Sequence, residues 1–315
     1  MTKKIAFLFP GQGSQFVGMG RDLYSNYSSA KKVFDTADEV LGKSVSKLCF
    51  EGPEETLKQT ANTQPAIVTM SIAALEALKS KLNITPHFTA GHSLGEYCAM
   101  FCSGVMDLKT TLKAIQKRAS LMSEVKGGMM AAVLNAPEGS VEKAIKEASK
   151  LGYIDIANYN SPVQVVLTGD EIAVQKAGEI LLESGARRFV PLAVSGAFHS
   201  KYVENAGKEF ERFVSELTLK DASIPVITNV DAAETIVSDE FRQKMPKQMY
   251  SSVHWTQTIQ KMVTNGVDTF IEIGPGKVLT GLNKKIAPEA KVYNVYDTES
   301  LENTVNSLKK ELAIV

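Results

Sequence analysis

The sequence predicts an α/β protein, on three observations. Short apolar segments alternate with helical patterns along the whole 315-residue chain, the rhythm of strands covered by helices. Several of those segments, Ile5–Phe9 among them, are continuously apolar rather than alternating. That marks parallel strands buried on both faces. A strand that turns sharply into a helix at a serine, at residues 91–95, places a reactive side chain at the end of such a sheet.

The core strands are expected at Ile5–Phe9, Phe88–Ala90, Val226–Asn229, Phe270–Ile273 and Val292–Val295. Helical periodicity covers Ser28–Leu41, Gln64–Lys81, Leu108–Lys126, Tyr202–Leu217, Asp239–Met249 and Trp255–Asn265. Thr63-Gln64-Pro65 suits a helix start with the proline in the first turn. The middle of the chain has a different rhythm: strand Met129–Leu134, helix Pro137–Ser149, strands Ile154–Tyr159 and Gln164–Thr168, helix Glu171–Glu183 and strand Arg187–Val190. That βαββαβ order is ferredoxin-like, with a hairpin link at Asn160-Ser161-Pro162. Gly127-Gly128 and Ser195-Gly196 read as hinges on either side. The expectation is an α/β-hydrolase-like core, with a short parallel sheet and a nucleophile elbow, built from 1–126 and 195–315. A ferredoxin-like subdomain, 127–194, is inserted into it.

Composition narrows the function classes. The chain is 22 % charged and 44 % hydrophobic with zero net charge, ordinary for a globular protein. No whole-molecule field steers it to nucleic acid or to an anionic membrane, and neither partner is expected. Cys49, Cys98 and Cys102 do not form a disulfide framework, and the apolar run after Lys3-Lys4 is too short for a secretory signal; both point to a reducing cytoplasm. Cys98 and Cys102 lie one helical turn apart, but no His or Asp joins them at ligand spacing, so they read as packing and no metal site is expected.

The stretch GHSLGEYCAM at 91–100 carries most of the chemistry. Ser93 stands inside Gly-x-Ser-x-Gly, between the strand ending near Ala90 and a helix over Leu94–Phe101. Gly91 and Gly95 are small because the turn leaves no room for side chains there. The turn lifts the Ser93 hydroxyl from the sheet and aims the N–H of Leu94 at the reacting oxygen. The pattern alone is moderately specific; its strand–turn–helix setting makes it a nucleophile elbow.

A serine nucleophile needs a base, and the chain has four histidines, His87, His92, His199 and His254. His199 lies where the chain returns from the inserted subdomain, at a cleft between lobes, which favours it; position alone leaves His92 and His254 open. The loop Pro10-Gly11-Gln12-Gly13-Ser14-Gln15 follows the first strand and either supplies a second oxyanion N–H or is a simple turn. Its spacing fits neither nucleotide fingerprint.

Taken together these segments closely resemble the malonyl-CoA:acyl-carrier-protein transacylases. The resemblance rests on FPGQGSQ (9–15), TQPAI (63–67), GHSLGEY (91–97), Arg118, NYNSPVQVVLTG (158–169), GAFHS (196–200), NVDA (229–232), QMYSSVHW (248–255) and EIGPGKVLTGL (272–282). It runs from end to end. It implies Ser93 as nucleophile, His199 as base, the N–H groups of Gln12 and Leu94 as oxyanion hole, and Arg118 as the ligand of the malonyl carboxylate. A backbone carbonyl near Gln248, rather than an aspartate, orients the histidine. Gln64 lines the acyl pocket. Phe198 is expected to fill the space of a methyl branch, as a phenylalanine before the histidine does in related polyketide loaders.

The implied reaction exchanges one thioester for another: malonyl passes from malonyl-CoA to Ser93 and on to the phosphopantetheine thiol of acyl carrier protein, with no cofactor. A free-standing polyketide-type acyltransferase and a serine thioesterase are the alternatives. A monomer is expected. The carrier is acidic in such systems, so its docking face is sought among the basic pairs Lys31-Lys32, Arg187-Arg188 and Lys284-Lys285.

Overall fold

The computed structural model describes residues 3–194 and 196–312. Its strands are β1 (Lys4–Phe9), β2 (Phe88–Gly91), β3 (Met129–Leu134), β4 (Ile154–Ser161), β5 (Gln164–Gly169), β6 (Arg188–Pro191), β7 (Val226–Ile227), β8 (Glu234–Thr235), β9 (Val267–Ile273) and β10 (Lys291–Val295). They form a six-stranded sheet of order β10-β9-β1-β2-β7-β8 and a four-stranded sheet of order β4-β5-β3-β6, with helices packed around both: a mixed α/β architecture.

β1 lies inside the larger sheet and pairs in parallel with β2 and β9. Its side chains alternate between two cores. Ile5, Phe7 and Phe9 join one buried cluster, and Ala6 and Leu8 the other. Because both faces are covered, every position from Ile5 to Phe9 is apolar, and that stretch reads as an unbroken run. The parallel reading needs one correction: β8 runs antiparallel to β7 at the sheet edge. Two residues at Thr228 and Asn229, expected to extend β7, instead begin the turn to β8.

The helix expected from Gln64 begins at Thr60 and runs to Lys81, so Pro65 sits inside it rather than in its first turn. A proline there lacks the N–H that would bond the carbonyl four residues back. That carbonyl, of Ala61, accepts from Lys43 Nζ at 3.3 Å instead. A tertiary contact thus lets the helix continue through a residue that usually marks its start.

The four-stranded sheet is antiparallel throughout. The helices Ser140–Ala148 and Glu171–Glu183 cover it, and together they enclose a third core of their own, with Val133, Leu167 and Leu181 at its centre. β4 continues through Asn160 and Ser161, so the hairpin turn is Pro162-Val163 and not the Asn160–Pro162 link the sequence suggested. β4 is also joined to the larger lobe: Tyr159 N–H donates to the Val253 carbonyl at 2.9 Å and Val253 N–H to that of Ala157 at 2.8 Å. Gly127 bridges to Gly196 at the expected hinge; Ser195, named with it, lies outside the described residues. No helix among the described residues is long and apolar enough to cross a membrane.

Candidate active site

The elbow forms where β2 ends at Gly91 and the helix Gly95–Cys102 begins. Its glycines are required by space. A Cβ on Gly91 would lie 1.9 Å from the Gly95 carbonyl carbon, and one on Gly95 would lie 2.2 Å from the Phe9 carbonyl oxygen. Between them Ser93 adopts a left-handed backbone, φ 52°. For a non-glycine residue that conformation is strained and must be held by its surroundings.

Opposite the serine stands His199, also left-handed at φ 54°. Its Nε2 lies 2.8 Å from Ser93 Oγ. Its Nδ1 faces two carbonyls, of Gln248 at 2.9 Å and Ser251 at 3.0 Å. Carbonyls only accept, so Nδ1 carries the proton and donates, and Nε2 presents its lone pair to the serine hydroxyl. Burial, then the Arg118 charge, then His92, hold the imidazole down at about 3. It is therefore neutral at physiological pH, the form that can take a proton.

Arg118, on the helix Leu108–Glu124, is fully buried. Its Nη1 donates to Gln64 Oε1 at 2.6 Å, and its Nη2 donates to Gln248 Oε1 at 3.0 Å and to Ser93 Oγ at 3.1 Å. None of these partners is a carboxylate, and its Nε has no partner among the described residues. Gln248 contributes twice, because its side-chain Nε2 also donates to the Ser93 carbonyl at 2.8 Å. The sequence reading had only its main-chain carbonyl.

A cleft of about 330 Å³ opens over these groups. Gln12, Gln64, Leu94 and Phe198 line it together with Ser93, Arg118 and His199. The main-chain N–H groups of Gln12 and Leu94 donate to no protein acceptor among the described residues. Phe198 is buried beside the histidine, its carbonyl accepting from Thr168 Oγ1 of β5 at 3.0 Å. Seven of the eight residues singled out in the sequence thus line one cleft, and the eighth, Gln248, stands behind it, bonded to Arg118 and His199.

The other histidines are engaged elsewhere. His92 Nε2 lies 2.8 Å from Asn160 Oδ1 across the cleft. His254 stacks on Tyr159 at 5.2 Å, and His87 Nδ1 accepts from the Ile5 N–H at 3.1 Å. Three participants were not foreseen: Ser251, Asn229 and Glu96. Asn229 Oδ1 accepts from the Ser93 N–H at 2.7 Å, and Glu96 is buried one turn beyond the elbow. Their segments, QMYSSVHW, NVDA and GHSLGEY, stood among the shared motifs, which was the available signal. No group of His, Cys, Asp and Glu suited to a metal ion occurs among the described residues.

This sheet, elbow and Ser–His pair, with its histidine buried, define a protein of the acyl-transferring class. The chain belongs to the acyl transferase domain family, which matches residues 6–308, and within it to the malonyl CoA-acyl carrier protein transacylases. It is 43 % identical to the malonyl CoA-acyl carrier protein transacylase of Bacillus subtilis over 98 % of both chains. The crystal structure of the malonyl CoA-acyl carrier protein transacylase from Clostridium perfringens superposes with a TM-score of 0.94 at 38 % identity, covering 99 % of both chains. A malonyl-transacylase solved in complex with its holo type II PKS acyl-carrier protein superposes at 0.93, with 35 % identity over 97 % of this chain and 100 % of that one.

Proposed function

We propose that the chain transfers the malonyl group of malonyl-CoA to the phosphopantetheine thiol of acyl carrier protein, through a malonyl-serine, to supply extender units for fatty acid synthesis. One observation carries this reading: a buried guanidinium with no carboxylate partner, 3.1 Å from the hydroxyl of an elbow serine. An unpaired buried cation is costly, and a malonyl tail brings the missing carboxylate to the fork geometry that guanidinium binds best.

His199 Nε2 takes the Ser93 proton as Oγ attacks the thioester carbonyl. The oxyanion is received by the N–H groups of Leu94 and Gln12. Collapse expels the CoA sulfur as a thiolate, which takes from His199 the proton that came from Ser93. The carrier thiol then repeats the path in reverse. Exchange of one thioester for another is nearly balanced in free energy and uses no cofactor or metal. Gln64 and Gln248 hold Arg118 ready, and Phe198 limits the space beside the acyl group.

In this reading residues 1–126 and 195–315 form an α/β-hydrolase-like core and 127–194 an inserted ferredoxin-like subdomain. The strand order β4-β5-β3-β6 and the separate third core support that division. The protein acts as a cytoplasmic monomer, with no membrane or nucleic-acid partner.

The test is incubation with malonyl-CoA alone, followed by addition of holo carrier protein. The reading expects a lasting acyl-enzyme that discharges onto the carrier; steady release of free malonate without loading would make the chain a thioesterase. The likeness to a transacylase solved with a type II PKS carrier favours a second reading, a free-standing polyketide-type acyltransferase. Loading rates on a fatty-acid-type and a polyketide-type carrier separate the two.

A further inference from the structure

The Ser93 elbow is tied at three points to a single residue in the turn that follows a neighbouring strand. Asn229, fully buried in the turn after β7, accepts from the Ser93 N–H through Oδ1 at 2.7 Å and donates through Nδ2 to the Gly91 carbonyl at 2.7 Å. Its own N–H donates to Glu96 Oε2 at 2.6 Å. Glu96 is buried in the first turn of the helix that the elbow starts. The ring therefore closes: strand end, nucleophile and first helical turn all meet at Asn229.

Such a ring has a chemical consequence. The left-handed backbone at Ser93 does not hold itself, and here the two peptide groups that lead into it, 91–92 and 92–93, are gripped by one planar amide. Because its N–H is engaged by Asn229, Ser93 does not offer that donor to an oxyanion, and the next one, of Leu94, is left for the task. Small errors in where a nucleophile and its oxyanion donor sit relative to each other cost rate steeply.

We propose that Asn229, itself held by the Glu96 carboxyl, is a positioning residue that sets the aim of Ser93 Oγ and of the Leu94 N–H. The inference rests on Ser93 being the nucleophile. It also specifies an amide: the side chain must accept on one arm and donate on the other. An aspartate would keep the acceptor for Ser93 but turn a second oxygen against the Gly91 carbonyl.

The test reads serine reactivity separately from substrate binding. Wild type, Asn229→Ala and Asn229→Asp are treated with phenylmethanesulfonyl fluoride, and the labelling rate at Ser93 is followed by mass spectrometry. The same proteins are mixed rapidly with malonyl-CoA to obtain the acylation rate constant and the half-saturating concentration. Both rates are expected to fall by about a hundredfold in both variants, with half-saturation moving by no more than about threefold. Glu96→Ala should behave like Asn229→Ala. Glu96→Gln, which retains an oxygen for the Asn229 N–H, should recover to within about tenfold of wild type. If Asn229→Ala does not fold, the Glu96 pair decides the matter from the other end of the ring. Labelling and acylation at the wild-type rate in a folded Asn229→Ala overturn the inference alone. A parallel collapse of rate and half-saturation also overturns it, since that is general damage to the cleft. An unlabelled wild-type Ser93 overturns the nucleophile assignment and the inference with it.

Discussion

Arg118 Nη2 donates to Ser93 Oγ at 3.1 Å, so the cation suited to a substrate carboxylate touches the hydroxyl suited to attack its thioester. With malonyl in the cleft, the guanidinium exchanges neutral partners for a charged one. Loss of such a buried pair by removing one member costs about 3–5 kcal/mol.

Arg118→Ala should therefore lower kcat/KM for malonyl-CoA by roughly a hundred- to several-thousand-fold, while acetyl transfer falls little or rises. Arg118→Lys should recover only part, because it restores charge but not the fork. The measurement is kcat/KM for both acyl-CoAs on each protein. An unchanged malonyl-to-acetyl ratio would place selection elsewhere.

His199→Ala should reduce transfer by roughly a hundred- to ten-thousand-fold. His92→Ala should do less, since His92 spends its Nε2 on Asn160 Oδ1 at 2.8 Å and acts on cleft packing. Greater damage from His92→Ala than from His199→Ala would mean the base has been misassigned.

Two buried groups make opposite contributions to stability as pH changes. Burial raises Glu96 from 4.5 to about 7 and lowers His199 from 6.5 to about 3. The folded Glu96 keeps a proton that the unfolded chain has released, so its contribution is full below 4.5 and is lost as pH rises to about 7. The His199 contribution is full above 6.5 and is lost as pH falls toward about 3. Glu96→Gln removes the first effect. Its Tm relative to wild type should climb between pH 4.5 and about 7 and level off above that, as read by thermal melts. A pH-independent difference would show that Glu96 titrates at an ordinary value. Transfer itself should lack an acid limb near 6.5, because His199 is already neutral there.

How much of this was legible in the chain follows from how local each feature is. β1 could be read because both of its faces are buried and every position from Ile5 to Phe9 is apolar. The Ser93 turn could be read because its glycines sit two residues either side. The start of the helix at Thr60 was hidden, since the Lys43 contact that lets Pro65 lie inside it comes from a distant segment. Short helices such as Arg21–Asn26 and Val45–Glu51 leave little periodic signal in so few residues. Within the site, Ser93 announces itself by its Gly-x-Ser-x-Gly setting; position favours His199 but leaves His92 and His254 open, and the match to a family singles out His199 and Arg118. Asn229 and Ser251 act through an amide and a carbonyl brought in by the fold, which no residue-type pattern marks.

Phe198 lies buried in the cleft wall next to His199. Phe198→Ala should raise methylmalonyl transfer relative to malonyl, because it removes bulk where a methyl branch would project. Competition between the two acyl-CoAs for one carrier, scored by product mass, checks it. An unaltered preference would put the branch elsewhere in the cleft.

Steady-state transfer should be ping-pong, with parallel double-reciprocal plots, because one serine serves both thioesters in turn. Intersecting lines would require both substrates to bind before any acyl group moves.

The central claim is that Ser93 carries the acyl group between two thiols. Intact mass spectrometry after brief mixing with malonyl-CoA, on wild type and on Ser93→Ala, tests it most directly. A single malonyl adduct is expected on the wild-type chain, removed by a holo carrier protein, and none on a folded Ser93→Ala. A malonyl adduct of equal yield on Ser93→Ala would contradict it.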